Sequence, residues 1–297
     1  AYLDEYIIQQ DQAKAVLATK ICTHFNKIRF SQQRQHSFNS PVGAIKNNIL
    51  LIGPTGVGKT YMVKLIANKL GVPFIKGDAT KFSETGYVGG DVDDLIRDLV
   101  RQADGDIEKA QFGIIYVDEI DKIAHAQNRH GLDVSRSGVQ RALLKPMEET
   151  EIEMKVPHDM ISQIEAMEQY RATGKRESKR VHTKHILFVM SGAFDGLDEI
   201  IFNRLNQKTI GFEGDFVTGK KNKNELKKVK SEDLISFGFE SEFIGRLPIT
   251  AILDVLSKDD LVQILKNPNC AIINSKKHDF MAYGIKLVFD ERVFEWI

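Results

Sequence analysis

Apolar residues recur along the chain in two different periods, and their alternation predicts a sheet wrapped by helices. Between residues 11 and 29, Ala15, Val16, Ile21, Phe25 and Ile28 fall at helical spacing. Five short apolar runs follow, at 48–52, 73–76, 112–117, 185–190 and 248–253. Each has the length and continuity of a strand buried on both faces. Helical periods lie between them at 59–70, 91–102 and 136–148. In the first of these, Met62, Val63, Ile66, Ala67 and Leu70 share a face, and Gly71 is a suitable stop. Such alternation is the pattern of an α/β fold with a parallel sheet flanked by helices. Residues 151–184 and 206–232 break it, being polar and irregular, and loops that long tend to carry function. Ser257-Lys258-Asp259-Asp260, ahead of Leu261, Ile264 and Leu265, predicts a capping box that opens a further helix.

Composition narrows the possibilities. The 297 residues suffice for one large or two smaller domains. Acidic and basic residues balance at 41 each, so total charge gives no support for general nucleic-acid binding. Residues 171–180 and 220–230 are locally basic, which by default means a solvated loop. Cys22 and Cys270 are the only cysteines and lack the spacing of a zinc site. Cys22 is expected in the core with Val16, Leu17 and Phe25, and a reducing, cytoplasmic setting fits. No run reaches the roughly 18 apolar residues of a membrane span, and no signal peptide is visible. The chain starts at Ala1 and ends within an amphipathic segment, Phe294–Ile297, so a fragment of a longer protein is expected.

Gly53-Pro54-Thr55-Gly56-Val57-Gly58-Lys59-Thr60 carries the strongest chemical signal. Two glycines, then lysine and threonine, between a strand and a helix start, form a phosphate cradle. Backbone N–H groups and the positive end of the helix dipole face anionic oxygens there. Residues Pro54 to Tyr61 are therefore expected to hold a nucleotide. Lys59 would reach its terminal phosphates and Thr60 would ligate Mg²⁺. A second signal lies about 60 residues further on, where an apolar strand ends in Asp118-Glu119. In phosphate-loop ATPases the first acid at this place holds Mg²⁺, and a following glutamate can polarise the attacking water. Alone, the pair would read equally well as surface acids at a strand end.

Asp118-Glu119-Ile120-Asp121-Lys122, followed by Gly138-Val139-Gln140 and Leu143-Leu144, resembles the AAA+ ATPases of the Clp/Hsl unfoldase group. The resemblance runs from Leu3-Asp4-Glu5-Tyr6 almost to the C-terminus and is strongest to the ClpX family. It implies an AAA+ large ATPase domain over 1–256 and the beginning of a small C-terminal domain over 257–297. It also implies ATP hydrolysis in a homo-hexameric ring that unfolds tagged proteins and feeds a ClpP-like peptidase.

Individual residues take roles from the same resemblance. Gly86-Tyr87-Val88-Gly89 matches the pore loop that grips substrate, with Tyr87 and Val88 as its contact residues; the alternative is a turn whose tyrosine packs on its own domain. Gly90 stands where the family has glutamate. Arg246, in Glu242-Phe243-Ile244-Gly245-Arg246, matches an arginine finger supplied to a neighbouring subunit, or else is an ordinary surface arginine. Ile210-Gly211-Phe212 matches the loop that docks on the peptidase, unless it is a local apolar staple. Ile7 and Ile8 match the residues flanking adenine, although Gln9 replaces a glycine of the family pattern. Ser191 matches the polar sensor near the γ-phosphate, and residues 133–136 match a second pore loop. The basic 171–185 segment lies where the family has a basic loop at the pore entrance, but it is longer here. The family's four-cysteine zinc domain and its second sensing arginine have no counterpart in this chain.

Two other readings share some of these features. An HslU-type unfoldase has the flavour of Lys81-Phe82-Ser83-Glu84-Thr85-Gly86, but only about 30 residues separate the pore motif from the acidic strand, where HslU has a large insertion. An AAA+ motor on nucleic acid is permitted by the basic loops but does not explain Gly86–Gly89 or Ile210–Phe212.

Overall fold

The computed structural model describes residues 2–33, 46–83, 90–124, 134–154, 180–207, 225–290 and 293. Seven strands lie among them: β1 (Ile49–Ile52), β2 (Phe74–Asp78), β3 (Ile114–Asp118), β4 (Glu151–Glu153), β5 (Arg180–His182), β6 (Leu187–Gly192) and β7 (Ile249–Ile252). The helices are α1 (Asp11–Gln33), α2 (Lys59–Leu70), α3 (Asp93–Gln102), α4 (Ile107–Ala110), α5 (Val134–Met147), α6 (Leu197–Gln207), α7 (Ser231–Phe237), α8 (Ser241–Gly245), α9 (Lys258–Lys266) and α10 (Ala271–Met281). Five strands form one sheet in the order β2-β3-β6-β1-β7, parallel at every pairing. β4 and β5 pair separately and antiparallel.

Strand side chains alternate between two apolar layers. Leu50, Ile52, Ile115, Val117, Phe188 and Met190 join Leu95, Ile96 and Leu99 of α3 and Val139 and Leu143 of α5. Ile49, Leu51, Ile114, Tyr116, Leu187 and Val189 join Leu17 and Ile21 of α1 and Met62, Val63 and Ile66 of α2. Burying a Leu, Ile or Phe side chain contributes about 1.5–3 kcal/mol, so covering both faces is what stabilises strands this apolar. Among the described residues no helix is long and apolar enough to cross a membrane.

The five predicted strands and the helix from Lys59 to Leu70 are found within a few residues of their expected ends. Gly71 takes a left-handed conformation at the end of α2, with φ 69°. The box at Ser257 is also formed, each of Ser257 and Asp260 receiving the other's backbone N–H. Elsewhere tertiary pairing overrode the pattern. The stretch 151–184 starts with β4 and closes with β5, strands of only three residues whose period is too short to read. The stretch 206–232 contains the end of α6 and the start of α7. Cys22 is exposed rather than buried. The face that α1 turns to the sheet is Ala13, Leu17, Ile21, His24 and Ile28, and Cys22 lies one residue, about 100°, off that line.

His24 was not expected in the core. It is buried on α1, with Nε2 2.9 Å from the carbonyl oxygen of His185 and its ring edge-on to Phe25. A carbonyl only accepts, so Nε2 donates. Burial pushes the His24 pKa down to about 4; the bond to His185 opposes that shift and the positive Lys46 adds to it. An unfolded histidine titrates near pH 6.5. Between about pH 6.5 and 4 the unfolded chain therefore takes up a proton that the folded chain refuses, and stability falls as pH falls. We expect a loss of roughly 1–3 kcal/mol across that window in urea unfolding, with a visibly shallower slope for His24→Gln. An equally steep slope in the variant would mean that another group carries the titration.

Candidate nucleotide site

β1 ends at Ile52, and the chain turns through Gly53–Gly58 before α2 starts at Lys59. The turn requires left-handed backbone at Gly56 (φ 85°) and Gly58 (φ 91°), and no atom lies within 4 Å of where a Cβ would stand at either residue. Larger residues would be strained there. They would also fill the space over the start of α2, where backbone N–H groups lack helical partners. Val57 turns inward and is buried in the same apolar cluster as Leu3 and Ile7. Ile8 and Tyr61 are half-buried, Tyr61 against that cluster. Gln9 (φ 54°) and Gln10 (φ 62°) are both left-handed, so the turn keeps a conformation that suits glycine. Gln9 Nε2 donates to Asp260 Oδ1 at 2.6 Å, and Gln10 exchanges two hydrogen bonds with the Asp254 backbone.

Lys59 is 9% exposed, and its Nζ donates to the carbonyls of Gly53 (2.5 Å) and Pro54 (2.8 Å). Burial lowers its pKa, while Asp118, Asp121 and Asp195 pull it back up. The ammonium is thus held over the loop by weak acceptors that a phosphate oxygen would replace.

Asp118 closes β3 and is the centre of a hydrogen-bonded chain. Ser191 Oγ donates to its Oδ1 at 2.6 Å, the Glu119 N–H reaches the same oxygen at 3.1 Å, and Lys76 Nζ lies 2.8 Å from Oδ2. Burial raises the Asp118 pKa, but the bonds from Lys76 and Ser191 outweigh it and hold the carboxyl below the usual range. The Tyr116 hydroxyl lies 2.6 Å from Ser191 Oγ and also meets the side chain of Thr60. Burial pushes the Tyr116 pKa up to about 12, so the phenol keeps its proton. Serine has one proton to give, and a carboxylate can only accept. The order is therefore Tyr116 to Ser191 to Asp118. Glu119 follows, exposed, with a left-handed backbone (φ 58°) that turns it out of the strand line. Asp121 accepts from the Ala193 N–H at 3.3 Å and pairs with Lys122 at 3.2 Å, which ties the turn after β3 to the end of β6.

The structure brings Lys59, Thr60, Asp118, Glu119 and Ser191 to one edge of the sheet. Ser191 lies inside β6 rather than beyond a strand ending at 190. Arg246 is elsewhere. Its carbonyl accepts from Asn48, five residues before Gly53, which is roughly 16 Å of extended chain away. Its guanidinium is paired with Glu148. Tyr87, Val88, Ile210, Gly211, Phe212 and Asp133 lie outside the described residues. Lys76 and Tyr116 escaped the sequence reading. Each lies inside a strand, where a lysine reads as surface and a tyrosine as core, and only strand pairing shows their polar partners.

An open parallel sheet with a phosphate loop after β1, and an acidic pair at the end of a strand one place removed, defines a phosphate-loop ATPase domain of the AAA+ class. The family model "AAA domain (Cdc48 subfamily)" matches residues 45–250. Within that class the chain belongs to the ClpX family. It is 39% identical over 299 residues to the ATP-dependent Clp protease ATP-binding subunit ClpX of Borrelia duttonii (strain Ly), an alignment covering 100% of this chain and 66% of that protein. Its identity to the ClpX of Treponema denticola is 40% over 294 residues, covering 98% of this chain and 67% of that protein. The chain thus spans about two thirds of the length of these relatives.

Replacing Tyr116 by Phe removes the donor to Ser191 while keeping the ring. A cost of about 1 kcal/mol in urea unfolding is expected, since one buried hydrogen bond is lost and Ser191 keeps only its bond to Asp118. A neutral result would mean that the hydroxyl chain does not operate in solution.

Proposed function

We propose that this chain binds and hydrolyses ATP and uses the cycle to unfold proteins, as one subunit of a ClpX-type ring. The observation that carries this reading is the meeting of Lys59, Thr60, Asp118 and Ser191 at one sheet edge, with Ser191 hydrogen-bonded to Asp118. Lys59 would pass from the loop carbonyls to the terminal phosphates. The Thr60 hydroxyl and the Asp118 carboxylate are hard oxygen donors of the kind Mg²⁺ takes, and Mg²⁺ supplies neutralisation of phosphate charge. Glu119, exposed beside them, is the group that would polarise the attacking water, and Ser191 would report on the γ-phosphate. Ile7, Ile8 and Tyr61 would flank the base.

The wider assignments rest on the family. Arg246 lies at the opposite sheet edge from its own phosphate loop, which supports a role at a neighbour's nucleotide in a homo-hexamer. Tyr87 and Val88 would line the pore, and Ile210, Gly211 and Phe212 would dock on a ClpP-like peptidase. The relatives' name, ATP-binding subunit of the Clp protease, supports ClpX over the HslU and nucleic-acid readings. Residues 1–256 would form the ATPase domain and 257–297 the start of a small domain, in a cytoplasmic protein acting on unfolded or tagged substrates.

Glu119→Gln should retain ATP binding while turnover falls by about 10²-fold or more, because the amide cannot act as base. Paired binding and phosphate-release assays read the two quantities, and hydrolysis at the parent rate would make Glu119 a structural residue. Tyr87→Ala, in the full-length protein, should keep most of the ATPase activity and lose unfolding of a tagged fluorescent protein. Loss of nucleotide binding in that variant would instead make Tyr87 a packing residue.

A further inference from the structure

Lys76 takes no part in the phosphate-loop chemistry outlined above, yet it makes the ion pair nearest the metal-ligand candidate. It lies on β2, the edge strand of the sheet, directly beside Tyr116 of β3. Cross-strand neighbours share a face, and the diagonal position two residues on is within reach of a long side chain. Lys76 uses both positions. Its Nζ is 6.0 Å from the centre of the Tyr116 ring and 2.8 Å from Asp118 Oδ2. The lysine side chain is 48% exposed and the aspartate side chain 21%, so the ammonium can swing outward while the carboxylate cannot.

We propose that Lys76 is a positioning residue that acts through Asp118: an internal counter-cation that occupies the carboxylate until a divalent cation arrives with nucleotide. This rests on the reading of Asp118 as a ligand of Mg²⁺. Of the carboxylate's acceptor positions, Ser191 and the Glu119 N–H take Oδ1, and Lys76 takes Oδ2. The bonds on Oδ1 come from the sheet and its turn and are fixed. The bond on Oδ2 comes from a flexible edge side chain and is the one that can be given up. A doubly charged cation on Oδ2 would repel an ammonium less than 3 Å from the same atom. Lys76 must therefore withdraw as the cation binds. Lys76 then sets how much Mg²⁺ the site requires, and it balances the Asp118 charge when the nucleotide has left.

The test compares the parent chain with Lys76→Met and Lys76→Arg. Methionine keeps an apolar stem on the Tyr116 ring and removes the charge; arginine keeps the charge. The readout is binding of a fluorescent ADP analogue as MgCl₂ is raised from zero, with circular dichroism confirming the fold. Lys76→Met should reach half-saturation at an MgCl₂ concentration about two- to fivefold lower than the parent, the effect expected of one partly exposed ion pair. Lys76→Arg should return the midpoint to the parent value. An unchanged or higher midpoint in Lys76→Met would overturn the proposal while leaving the nucleotide site intact. Parent binding that ignores MgCl₂ would instead overturn the metal role of Asp118, and this proposal with it. Should Lys76→Met fail to fold, Lys76→Gln carries the same comparison with the side-chain polarity retained.

Discussion

Parallel pairing of β1, β6 and β3 is the constraint on which the rest depends. Strands that run the same way all release the chain at one edge. In the observed register Leu51 lies beside Ser191 and Ile52 beside Gly192, while Val117 lies beside Met190. The turn after β1 and the carboxylate that closes β3 therefore flank the same serine. A slip of one residue would reverse every side chain on the slipped strand. It would send Tyr116 into the opposite apolar layer and part it from Thr60 and Ser191. The hydrophobic faces and the polar site are thus specified by one register.

Within that frame the site solves a problem of buried polarity. Tyr116 and Ser191 have no measurable exposure, and hydroxyls so placed destabilise a core unless they are bonded. Here each has a partner, Tyr116 donating to Ser191 and Ser191 to Asp118. A fully satisfied chain is rigid, because moving one member strands the next. Two lysines approach its acidic end from different sides, Lys59 from the loop and Lys76 from the edge strand. The chain runs outward from the buried phenol to the exposed Glu119, so the groups suited to chemistry stand at the solvent edge on a fixed base.

The opposite edge is organised just as firmly but for another purpose. Asn48 accepts from the Phe188 N–H and donates to the Arg246 carbonyl, which pins the entry of β7 to β1 and β6. Lys46 donates to the Thr183 carbonyl at 2.7 Å, and His24 seals the same end beneath α1. An arginine anchored there is separated from its own phosphate loop by the length of the strands.

The phosphate loop, the acidic pair and the five strands were legible in the sequence because each is a local signal. Glycine and lysine spacing specifies a backbone path, and continuous apolar runs specify strands buried on both faces. The same holds for the boxed start of α9 and for Gly71 at the end of α2. What the sequence could not show depends on distant residues meeting. Cys22 is exposed and His24 buried because the angle at which α1 meets the sheet, not the apolar count, selects the buried face. β4 and β5 are too short to carry a period and exist through each other. Lys76 and Tyr116 look like a surface cation and a core ring until register sets one against Asp118 and the other against Ser191. Local chemistry wrote the elements and the loop; pairing of strands far apart in the chain decided which polar groups would share a site.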